Sequence, residues 1–331
     1  MLGLAVSAVS LAAVVWWISR QESPRLPDSA GGYGWLVLAL ALIAGNFALR
    51  GWRWHLIMRG AGIAHRRRDA HGLTMVGYMG NNVLPARGGE LLKIGLLAPR
   101  TTARRREVLG TVLVERALDA AVLVALLAVL TWVGVHGAPG GRGGATMGAA
   151  GLAAVAGALA LYLALRRRGR FERFAAAIRP VAGALTLLAR PQGIPFALVS
   201  LAIWCIDGLA FLLIARAVGV ELDPLSAMGV IVLASLAAAI PAAPGYVGTF
   251  DAGMLLGLHG AGVEGGEAVG VLLLARFLFF VPATLAGLAI LLLAYGGRGH
   301  TLRRVSTIWK RSPSSRSTSS SANLSDQRFR T

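Results

Sequence analysis

The sequence predicts an all-α polytopic membrane protein with about six spans and two opposed re-entrant hairpins, and three observations carry that prediction. First, the 331 residues are 56% hydrophobic and only 15% charged, where soluble domains carry about 25% charged residues. Second, the apolar residues fall into long uncharged runs at 36–47, 120–135, 148–165 and 277–294. Such runs approach the length of about 20 residues that crosses a hydrocarbon core. Third, the positive charge is clustered. Six Lys/Arg lie between Arg50 and Arg68, four between Arg100 and Arg106, seven between Arg166 and Arg190, and eight between Arg298 and Arg330. Lys/Arg-rich loops mark the cytoplasmic side of a membrane.

Several chemistries are excluded at this level. Cys205 is the only cysteine, so the chain has no internal disulfide and no thiolate metal cage. The six histidines are scattered without metal-ligand spacing, and no metal or cofactor is expected. The net charge of +18 is spread over loops between apolar segments. It reads as a topology signal with some attraction to anionic lipid, and no nucleic-acid partner is expected.

The elements follow in order. Span 1 (about 2–18) lacks a basic n-region and a cleavage site, so it reads as a span rather than a removed signal. Span 2 (about 34–50) returns inward and ends at Arg50, Trp52, Arg53 and Trp54, which read as an interfacial belt of snorkelling side chains. Segment 70–98 has cytoplasmic charge at both ends, and Asn82, Pro85 and Gly89 break its middle. A re-entrant hairpin of two half-helices satisfies both constraints. Span 3 (about 108–135) goes outward and span 4 (about 146–165) returns. Residues 171–190 read as an interfacial segment, and span 5 (about 194–215) goes out again. Segment 225–258 then begins and ends outside, broken at Pro241, Pro244, Gly245 and Gly248 as a second hairpin from the opposite face. Span 6 (about 268–294) ends inside.

The order span, span, hairpin, span occurs twice, which predicts an inverted-topology repeat with halves at about 1–135 and 146–295. The spacing Glu107-x2-Gly110-x5-Arg116 recurs as Glu267-x2-Gly270-x5-Arg276. Residues 296–331 form a basic, Ser-rich tail with too few apolar residues to pack, expected to be disordered and cytoplasmic.

A charge at membrane depth costs about 2.5–3.5 kcal/mol on insertion scales, so each needs a partner or a wet cavity. The candidates for contact with a substrate are Arg87, Glu90, Lys93, Glu115, Arg116, Asp119, Asp251 and Arg276. Arg87 and Lys93 suit an anionic headgroup, because guanidinium forks and ammonium point charges bind phosphate oxygens. The simpler alternative pairs Arg87 with Glu90. Glu115, Arg116 and Asp119 share a helical stretch that supports either a substrate- or proton-handling cluster or a structural ion network. Asp207 has no evident partner in the sequence, and a hydrogen bond to a neighbouring helix is an equal reading for it. Asn81 and Asn82 read as caps of the first hairpin turn, and the Trp16/Trp17, Tyr33/Trp35 and Trp52/Trp54 pairs as belt anchors.

The run Leu84-Pro85-Ala86-Arg87-Gly88-Gly89-Glu90, followed by Glu115-Arg116-x2-Asp119, resembles the lysylphosphatidylglycerol synthase transmembrane (flippase-like) family of bacterial membrane proteins. The later run Pro241-x2-Pro244-Gly245-x2-Gly248-x2-Asp251 is similar to that family's second signature. The likeness spans roughly residues 35–295. Lys93 stands where arginine is usual and Asp251 where glutamate is common, both keeping the sign of charge. The soluble aminoacyl-transferase domain of the full-length synthases is absent. The resemblance therefore implies lipid translocation or a related lipid-handling role in the bacterial inner membrane, and it argues against aminoacyl transfer by this chain; no enzymatic activity is expected, and the basic clusters place both termini in the cytoplasm. Three readings compete. The leading one is a flippase for a polar-headed, anionic or lipid-linked lipid. The second is a non-transporting subunit that binds lipid-linked intermediates for a separate glycosyl- or acyltransferase. A membrane-embedded lipid enzyme is the third, and the chain offers it neither a nucleophile–base pair nor a metal set.

Overall fold

The computed structural model describes residues 26–84, 87–133, 193–239 and 244–296. The expected spans 1 and 4, the interfacial segment 171–190, the basic tail from residue 297, and the hairpin prolines Pro85 and Pro241 lie outside the described residues.

All described elements are helical. Helix α1 (Ala30–Gly60) begins where Ser29 Oγ accepts from the Gly32 amide at 3.1 Å, which satisfies one of the amides that every helix start leaves open. At about 1.5 Å per residue its 31 residues exceed a hydrocarbon core of about 30 Å. The expected span 2 stops ten residues short of the end of this helix, because the stretch after Arg50 continues as helix with Arg53, Trp54, Ile57 and Met58 buried in the protein. Helix α2 (Arg67–Val83) ends before Pro85, as a residue preceding proline avoids the helical region. Leu84 is extended there, at φ −93° and ψ 145°. Arg87, in the left-handed region at φ 56°, opens α3 (Gly88–Leu97). A 3-10 turn (Ala98–Arg100) leads to α4 (Arg105–Val133).

After the undescribed stretch come α5 (Gly193–Ala217) and α6 (Pro224–Ala237). Asp223 caps α6, accepting from the Leu225 and Ser226 amides at 2.9 and 3.0 Å. The 3-10 turn Pro244–Tyr246 leads through Gly248 into α7 (Thr249–Gly260). Helix α8 (Gly265–Ile290) runs on as a π-helical turn, Leu291–Tyr295. Among the described residues, three helices are long and apolar enough to cross a membrane: α1, α5 and α8 with its π-turn.

The packing comes in matching sets. α2 lies on α3 and α6 on α7; α1 packs on α2 and α5 on α6; α1 and α5 pack extensively against each other. Close backbone approach makes both broken pairs possible. A Cβ on Gly89 would collide with the Gly77 carbonyl, and one on Gly80 would sit 2.5 Å from Gly89 Cα. On the α6–α7 side, a Cβ on Gly253 would meet Leu233 O at 2.8 Å, and one on Gly257 the Val230 Cα at 2.8 Å. Small residues at such contacts are how helices associate where lipid supplies no hydrophobic drive. The two breaks then touch: Gly245 faces the Asn82 carbonyl, and Arg87 Nη2 donates to Ala238 O at 2.7 Å.

Candidate functional site

A cavity of about 390 Å³ lies where α1, α2, α4, α5, α6 and α8 converge on the two breaks. Its walls are mainly apolar, from Ile43, Phe47, Leu123, Ile231, Leu236, Phe250, Phe279 and Phe280. Among them stand Asn46, Arg50, Tyr78, Asn82, Arg87, Arg116, Asp119, Trp204, Asp207, Ser235 and Tyr246. No group of three or more His, Cys, Asp or Glu that could hold a metal occurs among the described residues.

Ion pairs organise the polar part. Arg50 meets Asp207 at 2.5 Å and donates to Tyr78 Oη at 2.7 Å. Its guanidinium also lies 5.2 Å from the Trp204 ring centroid. Asn46 Nδ2 donates to the other Asp207 oxygen at 2.5 Å. Arg53, fully buried, meets Asp119 at 2.7 Å and donates to Ser200 Oγ at 2.7 Å. Lys93 meets Glu115 at 2.6 Å, its ammonium 3.7 Å from the Trp54 ring centroid. Arg116 reaches Glu90 at 3.4 Å and Asp119 at 3.5 Å. Arg276 binds Asp251 and donates to the carbonyls of Gly245 and Tyr246.

Each of these five cations therefore has its own carboxylate, as burial at membrane depth demands. Arg87 is the exception. Among the described residues it has no carboxylate partner. It holds the Ala238 carbonyl and stacks 5.5 Å from the Tyr246 ring. Pairing with Glu90, the simpler expectation, is not what the structure adopts, because Glu90 turns to Arg116 and accepts from Asn81 Nδ2 at 3.4 Å. Arg87 and Tyr246 are also the two non-glycine residues with positive φ among the described residues. One sits in each break and both line the cavity. Left-handed backbone costs a non-glycine residue about 1–2 kcal/mol, and strain of this kind concentrates at functional sites.

Of the residues singled out in the sequence, Arg87, Arg116 and Asp119 line the cavity. Glu90, Lys93 and Glu115 stand behind it in the ion network. Asp251 and Arg276 clamp the second break, with Asp251 also accepting from the Gly248 amide at 2.8 Å. Besides the Arg87–Glu90 pairing, two expectations are corrected. Arg50, Arg53 and Trp54 are buried partners of the network, not snorkelling belt residues, since Asp207, Asp119 and Lys93 await them across the helix interface. Trp52 alone of that group is exposed. Asp207 bonds to a neighbouring helix, the other possibility read for it: its partners Asn46 and Arg50 come from the meeting of α1 and α5. Asn82 caps no turn: its Nδ2 donates to Thr284 Oγ1 at 2.9 Å and so ties the first break to α8. Sequence reading missed Asn46, Arg50 and Trp204 as cavity residues. For the first two the signal available was their spacing on α1, where 43, 46, 47 and 50 share one helical face.

The family comparison agrees with this picture of a membrane-embedded core. Residues 1–287 match the lysylphosphatidylglycerol synthase TM region. Glycosyltransferase AglD of Haloferax volcanii is 26% identical over 298 residues, covering 75% of this chain and 47% of that protein. The chain thus spans about half the length of that relative. A UPF0104 membrane protein of Methanothermobacter thermautotrophicus is 24% identical over 318 residues, 86% of this chain and 93% of its own length. No solved structure matches. With nearly the whole chain matched by the family, this protein belongs to the lysylphosphatidylglycerol synthase TM region family of membrane proteins.

Proposed function

We propose that the chain is a non-enzymatic lipid flippase of the cytoplasmic membrane, moving the polar headgroup of an anionic or lipid-linked lipid between leaflets. The observation that carries this reading is Arg87: a cavity-lining guanidinium without a carboxylate partner, in a site where each other charge named above is balanced. A headgroup phosphate supplies the missing anion, and the guanidinium fork suits its oxygens. The apolar walls accommodate the passage of an attached chain.

The matched packing of α1–α2–α3 and α5–α6–α7 supports an inverted repeat whose broken helix pairs act as opposed re-entrant hairpins. Rocking of one half on the other about the Arg87–Ala238 contact would open the cavity to each leaflet in turn. The termini are assigned to the cytoplasm on the strength of the basic clusters.

The test is flipping in proteoliposomes, read as the fraction of headgroup-labelled lipid protected from dithionite. Wild type is expected to flip selectively by headgroup. Arg87→Ala should slow this about tenfold or more, the worth of a charge-assisted hydrogen bond, and Glu115→Gln should also impair it by freeing Lys93. A second reading draws on the likeness to a protein named as a glycosyltransferase: a non-transporting subunit that presents lipid-linked intermediates to a separate lipid-modifying enzyme. Bound lipid with no flipping by wild type across the panel would favour it.

A further inference from the structure

We infer that the headgroup taken by this cavity carries one phosphodiester charge joined to an uncharged, hydroxyl-rich moiety; this deepens the flippase reading and rests on it. Charge comes first. The cavity offers one guanidinium without a carboxylate partner, on Arg87. Both cavity carboxylates are already engaged, Asp207 by Arg50 and Asp119 by Arg53. An aminoacylated or choline headgroup would bring a cation to a site with no free anion. A pyrophosphate would bring a second anion to a site with no second free cation. At low dielectric either mismatch is costly, and a single phosphodiester fits.

The polar groups around Arg87 say what the phosphate is joined to. The cavity wall carries the side chains of Asn82, Ser235 and Tyr246 beside Arg87, a carboxamide and two hydroxyls that bring neutral donors and acceptors to it. A ligand hydroxyl donates and accepts at once, so a hydroxyl-rich moiety matches such a wall where a methylated headgroup cannot. The volume of about 390 Å³ lies at the small end of ligand sites, about 300–1,000 Å³. It holds a glycerol or a single sugar with its phosphate, not an oligosaccharide. Two lipid sources share this chemistry: a monoglycosyl phosphate on a polyprenol, and a glycerophospholipid with a polyol headgroup.

Native mass spectrometry of the purified full chain in detergent tests this with five competing lipids. These are hexosyl-phosphoryl-polyprenol, phosphatidylglycerol, lysyl-phosphatidylglycerol, phosphatidylcholine and hexosyl-pyrophosphoryl-polyprenol. The first, the second or both should be retained about tenfold over the rest, and the ratio between them identifies the source. Equal or stronger retention of any of the other three, or retention of none, overturns the inference. Asp207→Asn frees Arg50 and should shift the ranking toward the pyrophosphate lipid; an unchanged ranking argues against charge matching. If that variant does not fold, Arg87→Gln should erase the preference for the monoanionic pair, and a preference that survives overturns the proposal. Flipping is measured in parallel. Selective retention without flipping sinks the flippase reading and leaves the headgroup assignment standing, while flipping with the wrong ranking sinks the assignment alone.

Discussion

Glu90 meets Arg116 in the first half of the chain, and Asp251 meets Arg276 in the second. The two pairs are built alike. Each acid lies three residues after the left-handed or glycine residue that opens a helix following a break, and each arginine lies on the next long helix. Their surroundings differ. Three residues after Glu90 comes Lys93, and three after Asp251 comes Met254. Glu115 precedes Arg116, where Ala275 precedes Arg276; Asp119 follows Arg116 by three, where Phe279 follows Arg276. The first half thus keeps an ionic core where the second keeps buried apolar side chains. In the second half the arginine is wholly used in holding its own break closed, on Asp251 and two carbonyls. In the first, Arg116 is shared with Asp119 and left at the cavity wall. One shared motif therefore serves as a clamp in one half and as part of the cavity wall in the other, and the neighbours decide which.

That contrast can be broken or sharpened by substitution. The largest effect should come from Glu115→Ala, which leaves Lys93 buried without its carboxylate and removes the longer contact to Arg53. Breaking a buried pair from one side costs about 3–5 kcal/mol, to be read as a lowered midpoint of thermal unfolding in detergent. Importing the apolar residues of the second half, as Lys93→Met with Glu115→Ala, should recover much of that loss, since replacing both partners is often close to neutral. If the double variant is no more stable than the single, the two halves do not share an interchangeable core.

Next comes Gly89→Ala, which forces a Cβ onto the Gly77 carbonyl. Overpacking of this kind costs about 1–3 kcal/mol. Gly95→Ala, with open space around its Cβ, should leave unfolding unchanged, and equal losses at both sites would refute close α2–α3 packing. A double-mutant cycle on Asp251→Asn and Arg276→Gln should return a coupling of about 0.5–3 kcal/mol. The same cycle on Glu90→Gln and Arg116→Gln should return less, because that contact is longer and Arg116 is divided between two acids. A larger coupling in the first half would invert the assignment of clamp and cavity. The smallest effect belongs to His259→Ala. Its pair with Glu264 is well exposed on both sides, and such contacts contribute little; unfolding should not move measurably.

Much of the helical layout could be read from the sequence, for reasons local to the chain. Apolar runs show which segments can cross a membrane. The proline after Leu84 and the glycines at 88–89 and 245–248 show where helices must stop, because sterics at a proline or a left-handed residue involve only its neighbours. Most of the buried charged residues could be read for the same reason, Arg50 and Arg53 excepted, as the cost of such a charge does not depend on the fold. Which of them pair with which could not. Arg50 and Asp207 are 157 residues apart, and Arg53 and Ser200 147, so only the packing of α1 on α5 makes them partners. That packing helped turn an expected belt of snorkelling arginines into a buried network, and the packing of α3 on α4 gave Glu90 to Arg116, leaving Arg87 with no carboxylate partner among the described residues. The sequence alone determined which residues carry charge. The tertiary structure decided which of them pair and left Arg87 without a carboxylate among the described residues, because ion pairing depends on distance in space and not on separation along the chain.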